Sequence, residues 1–407
     1  MRVVIAGAGF AGLMAADRIS RSGHEVIILE ARDRVGGRVW SAELVPGDPR
    51  TVIERGAEFV LDGYDVMRML LSDLGLDLAD TSMSYYEREP RGGKASVTHR
   101  EVAECAQVIA AVAADAPPEM SLAEAAASWH GSPVALAAFL SRVTVTNGIS
   151  EDHMSAASVV GIASDLAWRP TWRVAGGAQQ LAAGLAARLG SAVHRSTPAR
   201  SIEHDEDTVL VRTDSGEVAA DAVIAAVPMA VLRQLLFSPE LPGYLRSAWQ
   251  RAGLAHNAKL HLPLTAPAAA SAVQSVPGRY WTWTATDGSG QVQPVLHAFA
   301  GTEEGLAALK VTDGPDAWTR DARALRPELS VDSGRALLTT WNDDPWAGES
   351  YTALTVDRAA GDDHLIAAPV GRVHFAGEHT AGSWAGLMEG ALRSGVRAAD
   401  EVLARWA

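Results

Sequence analysis

The first 38 residues, MRVVIAGAGFAGLMAADRISRSGHEVIILEARDRVGGR, decide the fold. Arg2 to Ala6 is a short, nearly continuous apolar run, the pattern of a parallel strand buried on both faces. Gly7-Ala8-Gly9-Phe10-Ala11-Gly12 follows at once and fits G-x-G-x-x-G. From Ala11 the spacing becomes helical, with Leu13, Ala16 and Ile19 set to pack on a sheet, until Ser22-Gly23 stops it. Glu25 to Glu30 then reads as a second buried strand that ends on an acid, 18 residues after Gly12. Gly7 suits a tight turn, Gly9 a close approach of backbone to a pyrophosphate, and Gly12 close packing of helix on strand. The helix N-terminus faces the phosphates, and Glu30 can accept hydrogen bonds from a ribose. Strand, glycine loop, helix, strand and acid together predict a dinucleotide site.

The next residues say which dinucleotide. Asp33-Arg34-Val35-Gly36-Gly37-Arg38 adds a second double-glycine turn and a forked cation beside it. With Glu30-Ala31-Arg32 ahead of it, this stretch resembles the N-terminal signature of the FAD-dependent amine oxidase superfamily, which includes monoamine, polyamine and L-amino-acid oxidases. The resemblance implies FAD as the cofactor, contacted by Phe10 and Ala11 at the helix start, by Ala31 and Arg32 beside Glu30, and by Gly37 and Arg38.

Bulk properties agree with an ordinary globular enzyme. The chain has 407 residues, 48% apolar and 21% charged, with a net charge of −14. That balance and the lack of a basic run argue against nucleic acid or an anionic membrane surface. Cys105 is the only cysteine, so neither an intrachain disulfide nor a cysteine metal cluster is expected. His130 and His153 are isolated, and no metal is expected. No stretch reaches the roughly 18 apolar residues of a membrane span, and no signal peptide precedes the first strand. A reducing cytoplasm is the expected location; a homodimer stays open.

Along the chain, Val52 to Val60 resembles the segment that passes beneath the flavin, with Gly56 and Ala57 small for close approach and Glu58 toward the substrate end. A buried carboxylate there can hold a substrate cation, act as a base, or cap a loop. From Tyr64 to about Pro170 the periodicity is mostly helical. Val66, Met69, Leu70 and Leu74 make one apolar stripe, and Val102, Ala106, Ile109, Ala110 and Ala113 another. Gly176-Gly177, the helix after it and the strands up to Pro228 resemble the second cofactor segment, which brings the main chain of Ala199 to the adenine. Lys259 lies in an alternating strand, with Ala258, Leu260 and Leu262 on the opposite face and His261 on its own. By resemblance, a lysine at this place reaches a water bound to flavin N5. Trp281 and Trp283 alternate onto one face, for an aromatic pocket or a core.

The C-terminal third returns to the cofactor. The resemblance places Trp341 against the isoalloxazine and Tyr351 where monoamine oxidases have one tyrosine of an aromatic pair. Leu387 stands at the place of the second tyrosine, and Ser350 at that of the cysteine that bonds covalently to the ring. FAD is therefore expected to bind noncovalently. Gly377-Glu378 resembles the segment that puts an acid on ribityl or phosphate-side hydroxyls, followed by a helix from Ala385 to Leu403 that carries Leu387 and Met388.

The fold class expected is α/β: a discontinuous FAD-binding Rossmann-like domain (1–63, 174–245 and 334–407) plus an antiparallel-sheet and helical substrate domain (64–173 and 246–333). The expected activity is that of an FAD oxidase. Hydride passes from a C–N bond of an amine-like substrate to flavin N5, giving an imine and, with O2, hydrogen peroxide. Lys259, Glu58 and Tyr351 are the candidate catalytic residues. The alternatives are a C–C desaturase or protoporphyrinogen-type oxidase, and an L-amino-acid oxidase, for which no arginine facing a substrate carboxylate is evident.

Overall fold

The computed structural model describes residues 1–93, 95–160 and 166–405, so small parts of the expected 64–173 and 334–407 segments lie outside the described residues. At its centre is a sheet of five parallel strands in the order Val373–Phe375, Ala222–Ala225, Arg2–Ala6, Glu25–Leu29, Val193–His194. The first strand pairs Ala6 with Leu29 on one side and Ala225 on the other. Connections leave it in opposite directions, so its C-terminal end is the switch point at which such sheets bind ligands.

Alternation along the strands divides two cores. Val3 and Ile5 face the helices Phe10–Arg21, Gln179–Leu189 and Met388–Arg405. Val4, Val223 and Phe375 face a four-stranded sheet, Gly216–Ala220, Val209–Thr213, Ala199–His204 and Leu236–Ser238, together with helix Gly243–Arg251.

A second layer is a six-stranded sheet ordered Leu337–Thr340, Asn257–Pro263, Val295–Gly301, Tyr280–Thr284, Ser271–Ser275, Glu89–Arg91. Its pairs are antiparallel except the last. Leu337–Thr340 is thus an edge strand of this sheet, although the boundary drawn at 334 places it with the cofactor segments. One face, with Ala258, Leu260, Leu262, Leu296 and Ala298, packs on helix Asp316–Leu325 through Trp318. The other, with Lys259, His261, Trp281, Trp283 and His297, is turned the opposite way.

The 64–170 region is helical as expected, in Asp65–Leu74, His99–Ala114, Leu122–Ala126 and Pro133–Asn147, but it also holds the short strands Leu78–Asp80 and Glu89–Arg91. The first stripe is corrected: helix Asp65–Leu74 buries Met67, Leu70 and Leu71 and leaves Met69 54% exposed. The cause is an anchor from another helix. Glu389, fully buried, accepts the N–H groups of Val66 and Met67, both at 3.0 Å, and this fixes which face turns inward. The C-terminal helix starts at Met388 rather than Ala385, because Gly386 is left-handed (φ 79°). Among the described residues, no helix is long and apolar enough to cross a membrane.

Helices Phe10–Arg21 and Met388–Arg405 approach backbone to backbone at Gly395, where an added Cβ would lie 2.3 Å from the Ala11 carbonyl oxygen. Gly395→Ala is expected to cost about 1–3 kcal/mol by overpacking. Gly243→Ala, whose Cβ meets nothing within 4 Å, should change stability by less than about 0.5 kcal/mol. Denaturant unfolding of the two variants measures the contrast.

Candidate active site

A deep cleft opens at the switch point and runs to the polar and aromatic face of the six-stranded sheet. At its first end, Gly7 is left-handed (φ 105°), and a Cβ on Gly12 would lie 2.0 Å from the Gly7 carbonyl oxygen. Helix and strand can approach so closely only without a side chain there. A Cβ on Gly9 would meet nothing within 4 Å. Glu30, buried, accepts the N–H of Ala8 (2.7 Å) and of Arg32 (2.8 Å), one on each oxygen. Burial raises its pKa against those two bonds. The second glycine turn is tied to the first, with Gly36 N–H donating to the Ala8 carbonyl at 2.9 Å. An open glycine edge at a helix N-terminus beside a buried acid fits the adenine dinucleotide half of FAD. Ala199 borders this end.

In the middle of the cleft, Gly56 packs so tightly that a Cβ would lie 1.8 Å from the Arg38 carbonyl oxygen and 3.1 Å from Trp341. Trp341 is buried and lines the cleft. Arg38 and Glu378 line the cleft and pair with each other. Arg38 Nη1 pairs with Glu378 at 3.1 Å and with Glu349 at 3.7 Å, and donates to the Ser350 carbonyl at 3.1 Å. Glu378 also accepts from the Thr352 hydroxyl and the Gly386 N–H, each at 2.7 Å. These bonds tie Glu378 to the loop ahead of the last helix. Burial pushes Glu378 up, but Arg38 and His379 outweigh it and keep the carboxyl below its ordinary value. Burial pushes Glu349 up to about 7.

At the far end, Lys259 Nζ donates to Glu58 at 2.7 Å and to the Glu54 carbonyl at 3.0 Å. Lys259 is 7% exposed and Glu58 4%. Arg173 Nη1 lies 3.8 Å from the other Glu58 oxygen. Burial alone would raise the Glu58 pKa, but Lys259 and then Arg173 hold it below the usual range, so it stays ionised. The Glu54 carboxylate accepts from the Ala178 N–H (2.6 Å) and the Ser41 hydroxyl (2.8 Å); burial pushes its pKa up to about 7. His261 and His297 meet Nδ1 to Nδ1 at 3.1 Å, which requires one ring to donate and the other to accept. Burial holds both well below the ordinary histidine range, hence neutral. His297 stacks on Trp283 (5.1 Å between centroids) and Trp283 on Trp281 (4.2 Å).

Every candidate site residue borders this cleft except Gly12, which packs helix against strand. The Tyr351 ring is in the wall, but its hydroxyl donates to the Thr146 carbonyl. That bond holds the ring rather than offering a free proton. Ser350 and Leu387 also line the wall, and Met388 opens the last helix there. Arg173, Glu54, Asn257 and Tyr85 are the residues that sequence alone does not single out. For Arg173 a signal exists: a charged residue between Trp172 and Val174 in a short apolar strand. Among the described residues, no cluster of three histidine, cysteine or carboxylate side chains is placed to hold a metal.

Glu54 gives a pH signature. Its carboxyl titrates near 7 in the fold against an ordinary 4.5, so its contribution to stability is complete below about pH 4.5 and is lost as pH rises through about 7. The loss is on the order of 3 kcal/mol. Glu54→Gln keeps an acceptor for Ala178 and is expected to flatten the unfolding free energy of the holoenzyme between about pH 5 and 8.

The sequence profile of flavin containing amine oxidoreductases matches residues 10–93 and 134–403. A protein of Mycobacterium tuberculosis named as a flavin-containing monoamine oxidase, AofH, is 30% identical over 99% of this chain and 96% of its own. An L-amino acid dehydrogenase of Synechocystis is 24% identical over 98% of this chain and 94% of its own. The structure of putrescine oxidase bound to putrescine superposes with a TM-score of 0.84 at 22% identity, covering all of both chains, and so shares the fold. With the profile covering most of its length, the chain belongs to the flavin-containing amine oxidoreductase family and is an FAD-dependent oxidoreductase.

Proposed function

We propose that the protein is an oxidase of an amine-like substrate, with the carbon next to nitrogen held against the flavin at the Lys259 end of the cleft. The observation that carries this reading is the buried Lys259–Glu58 pair, facing the same cleft as the glycine loop and flanked by Trp281 and Trp283. FAD, when bound, would supply the hydride acceptor, leaving an imine and yielding hydrogen peroxide with O2.

The chain's own residues do the rest. Trp281, Trp283, Tyr351 and Leu387 form walls that orient a substrate and keep water out. Lys259, ionised against Glu58, holds a water or a reacting group at the sheet face. Since Glu58 is already paired, it does not serve as a free counter-ion for a substrate ammonium. Ser350 takes the place expected for a covalent cysteine, and Cys105 is buried in the helix His99–Ala114, away from the cleft. Noncovalent FAD follows.

Two experiments test the reading. Anaerobic mixing with a panel of amines, amino acids and N-acyl amines should bleach the flavin for at least one class; no bleaching by any of them rejects it. Lys259→Met should slow flavin reduction or reoxidation on the order of 100-fold and destabilise the fold by about 3–5 kcal/mol, because Glu58 is left buried without its hydrogen-bonded cation and with only Arg173, 3.8 Å away, to offset its charge. The double variant Lys259→Met, Glu58→Leu should recover stability but not rate. Separately, acid precipitation should release the yellow cofactor into the supernatant, and colour that stays with the pellet contradicts noncovalent binding.

A further inference from the structure

Two carboxylates share one guanidinium nitrogen in the wall of the cleft. Arg38 Nη1 lies 3.1 Å from Glu378 and 3.7 Å from Glu349. The two acids are held unequally. Glu378 has the shorter contact with Arg38 and the two bonds from Thr352 and Gly386. Glu349 is fully buried; one oxygen accepts the Ala230 N–H at 3.3 Å, and the other has no hydrogen-bond partner among the described residues. The charged groups that act on Glu349 come from three elements. Arg38 stands on the second glycine turn, Glu378 follows strand Val373–Phe375, and Arg233 follows helix Met229–Leu232. Arg233 donates to the carbonyls of Trp249 (3.0 Å) and Ala252 (2.6 Å), so it reaches Glu349 only through space.

A buried carboxylate with one long bond and an ionised acid beside it favours its protonated form. Burial, and then Glu378, push Glu349 up against the pull of Arg38, to about 7. Both of its forms are therefore populated near neutral pH. Arg38 is also the cation that this site can offer to phosphate. It follows Gly37, whose Cβ would lie 3.5 Å from Gly9 Cα, and both glycines line the cleft with it. Of the other arginines among the described residues that line the cleft, Arg32 is paired with Asp344 at 2.8 Å. Arg55 lies on the Trp40 ring, 3.6 Å from its centroid. With both acids ionised, Arg38 is outnumbered before any anion arrives; with Glu349 protonated, it is not.

We propose that Glu349 is a proton-linked positioning residue for FAD: protonated, it leaves Arg38 to the doubly anionic pyrophosphate, and ionised, it competes for Arg38 and repels the phosphates. The linkage has a definite sign. Added negative charge at Arg38 favours the protonated acid, so FAD binding takes up a proton. Affinity is complete below about pH 7 and falls as the pH rises above it. The inference goes beyond the amine-oxidase reading and does not depend on the substrate.

The test dilutes the holoenzyme to a low, fixed concentration in buffers of one ionic strength between about pH 6 and 9. Ultrafiltration gives the free FAD, and circular dichroism checks that the protein stays folded. FAD affinity should be level below about pH 7 and weaken on the order of tenfold by about pH 9. Glu349→Gln, which keeps an acceptor for Ala230 and cannot ionise, should hold FAD as tightly at the top of the range as at the bottom, and so should Glu349→Ala. Glu54→Gln, which removes another buried acid that titrates near 7, should leave the weakening in place. Level affinity in the unaltered enzyme overturns the proposal whether or not the variants fold. So does the same weakening in either Glu349 variant, or its loss in Glu54→Gln. Because the readout is cofactor retention without turnover, it is independent of bleaching by amines, and either reading can fail alone.

Discussion

The ion pair between Lys259 and Glu58 is the constraint on which the arrangement depends. It joins a strand of the six-stranded sheet to the segment that runs under the cofactor cleft, two stretches separated by 201 residues. Both groups are buried, so neither can be left alone without a large desolvation penalty. Arg173 and the Glu54 carbonyl complete the coordination from a third and a fourth direction. The two layers are thereby held in one register, and the aromatic face is kept turned to the cleft. Without that register, the glycine loop and the sheet would be two half-sites.

The cluster also explains the split among its titratable groups. Glu54 and Glu58 are similarly buried, yet one is pushed up and the other held down. The difference is the direct contact of Glu58 with an ammonium, while the Glu54 carboxylate is bonded only to neutral donors. The His261–His297 pair lies close to two cations and stays neutral. Behind Trp283 the sheet therefore presents a neutral, polarisable surface rather than a third charge.

Much of this was legible in sequence wherever the chemistry is local. The strand, glycine loop, helix and Glu30 are contiguous, and each residue's reason is satisfied within a few positions of itself. Lys259 stood out because a lysine interrupts an alternating apolar strand. Glu58 stood out as well, but nothing in Val52 to Val60 says which distant cation it meets. Glu378 shows the same limit. Its place in the cleft wall was readable, but Arg38, Thr352 and Gly386, which bond its oxygens, come from three other parts of the chain. The rotated face of helix Asp65–Leu74 has its origin in Glu389, a residue more than 300 positions away. Glu349 was silent in the sequence because a glutamate reads as surface until its neighbours are known.

The central sheet is assembled from segments near residues 2–6, 25–29, 193–194, 222–225 and 373–375. Its outermost strand, on the side of Ala222–Ala225, is Val373–Phe375, far downstream of the first in the chain. During translation strand Arg2–Ala6 can meet Glu25–Leu29 early, but its other partner, Ala222–Ala225, lies more than 200 residues downstream, which leaves one apolar edge uncovered. Such long-range parallel pairing is slow, and exposed edges invite aggregation. The nascent chain therefore depends on shielding until helix Met388–Arg405 has emerged and packs against Phe10–Arg21.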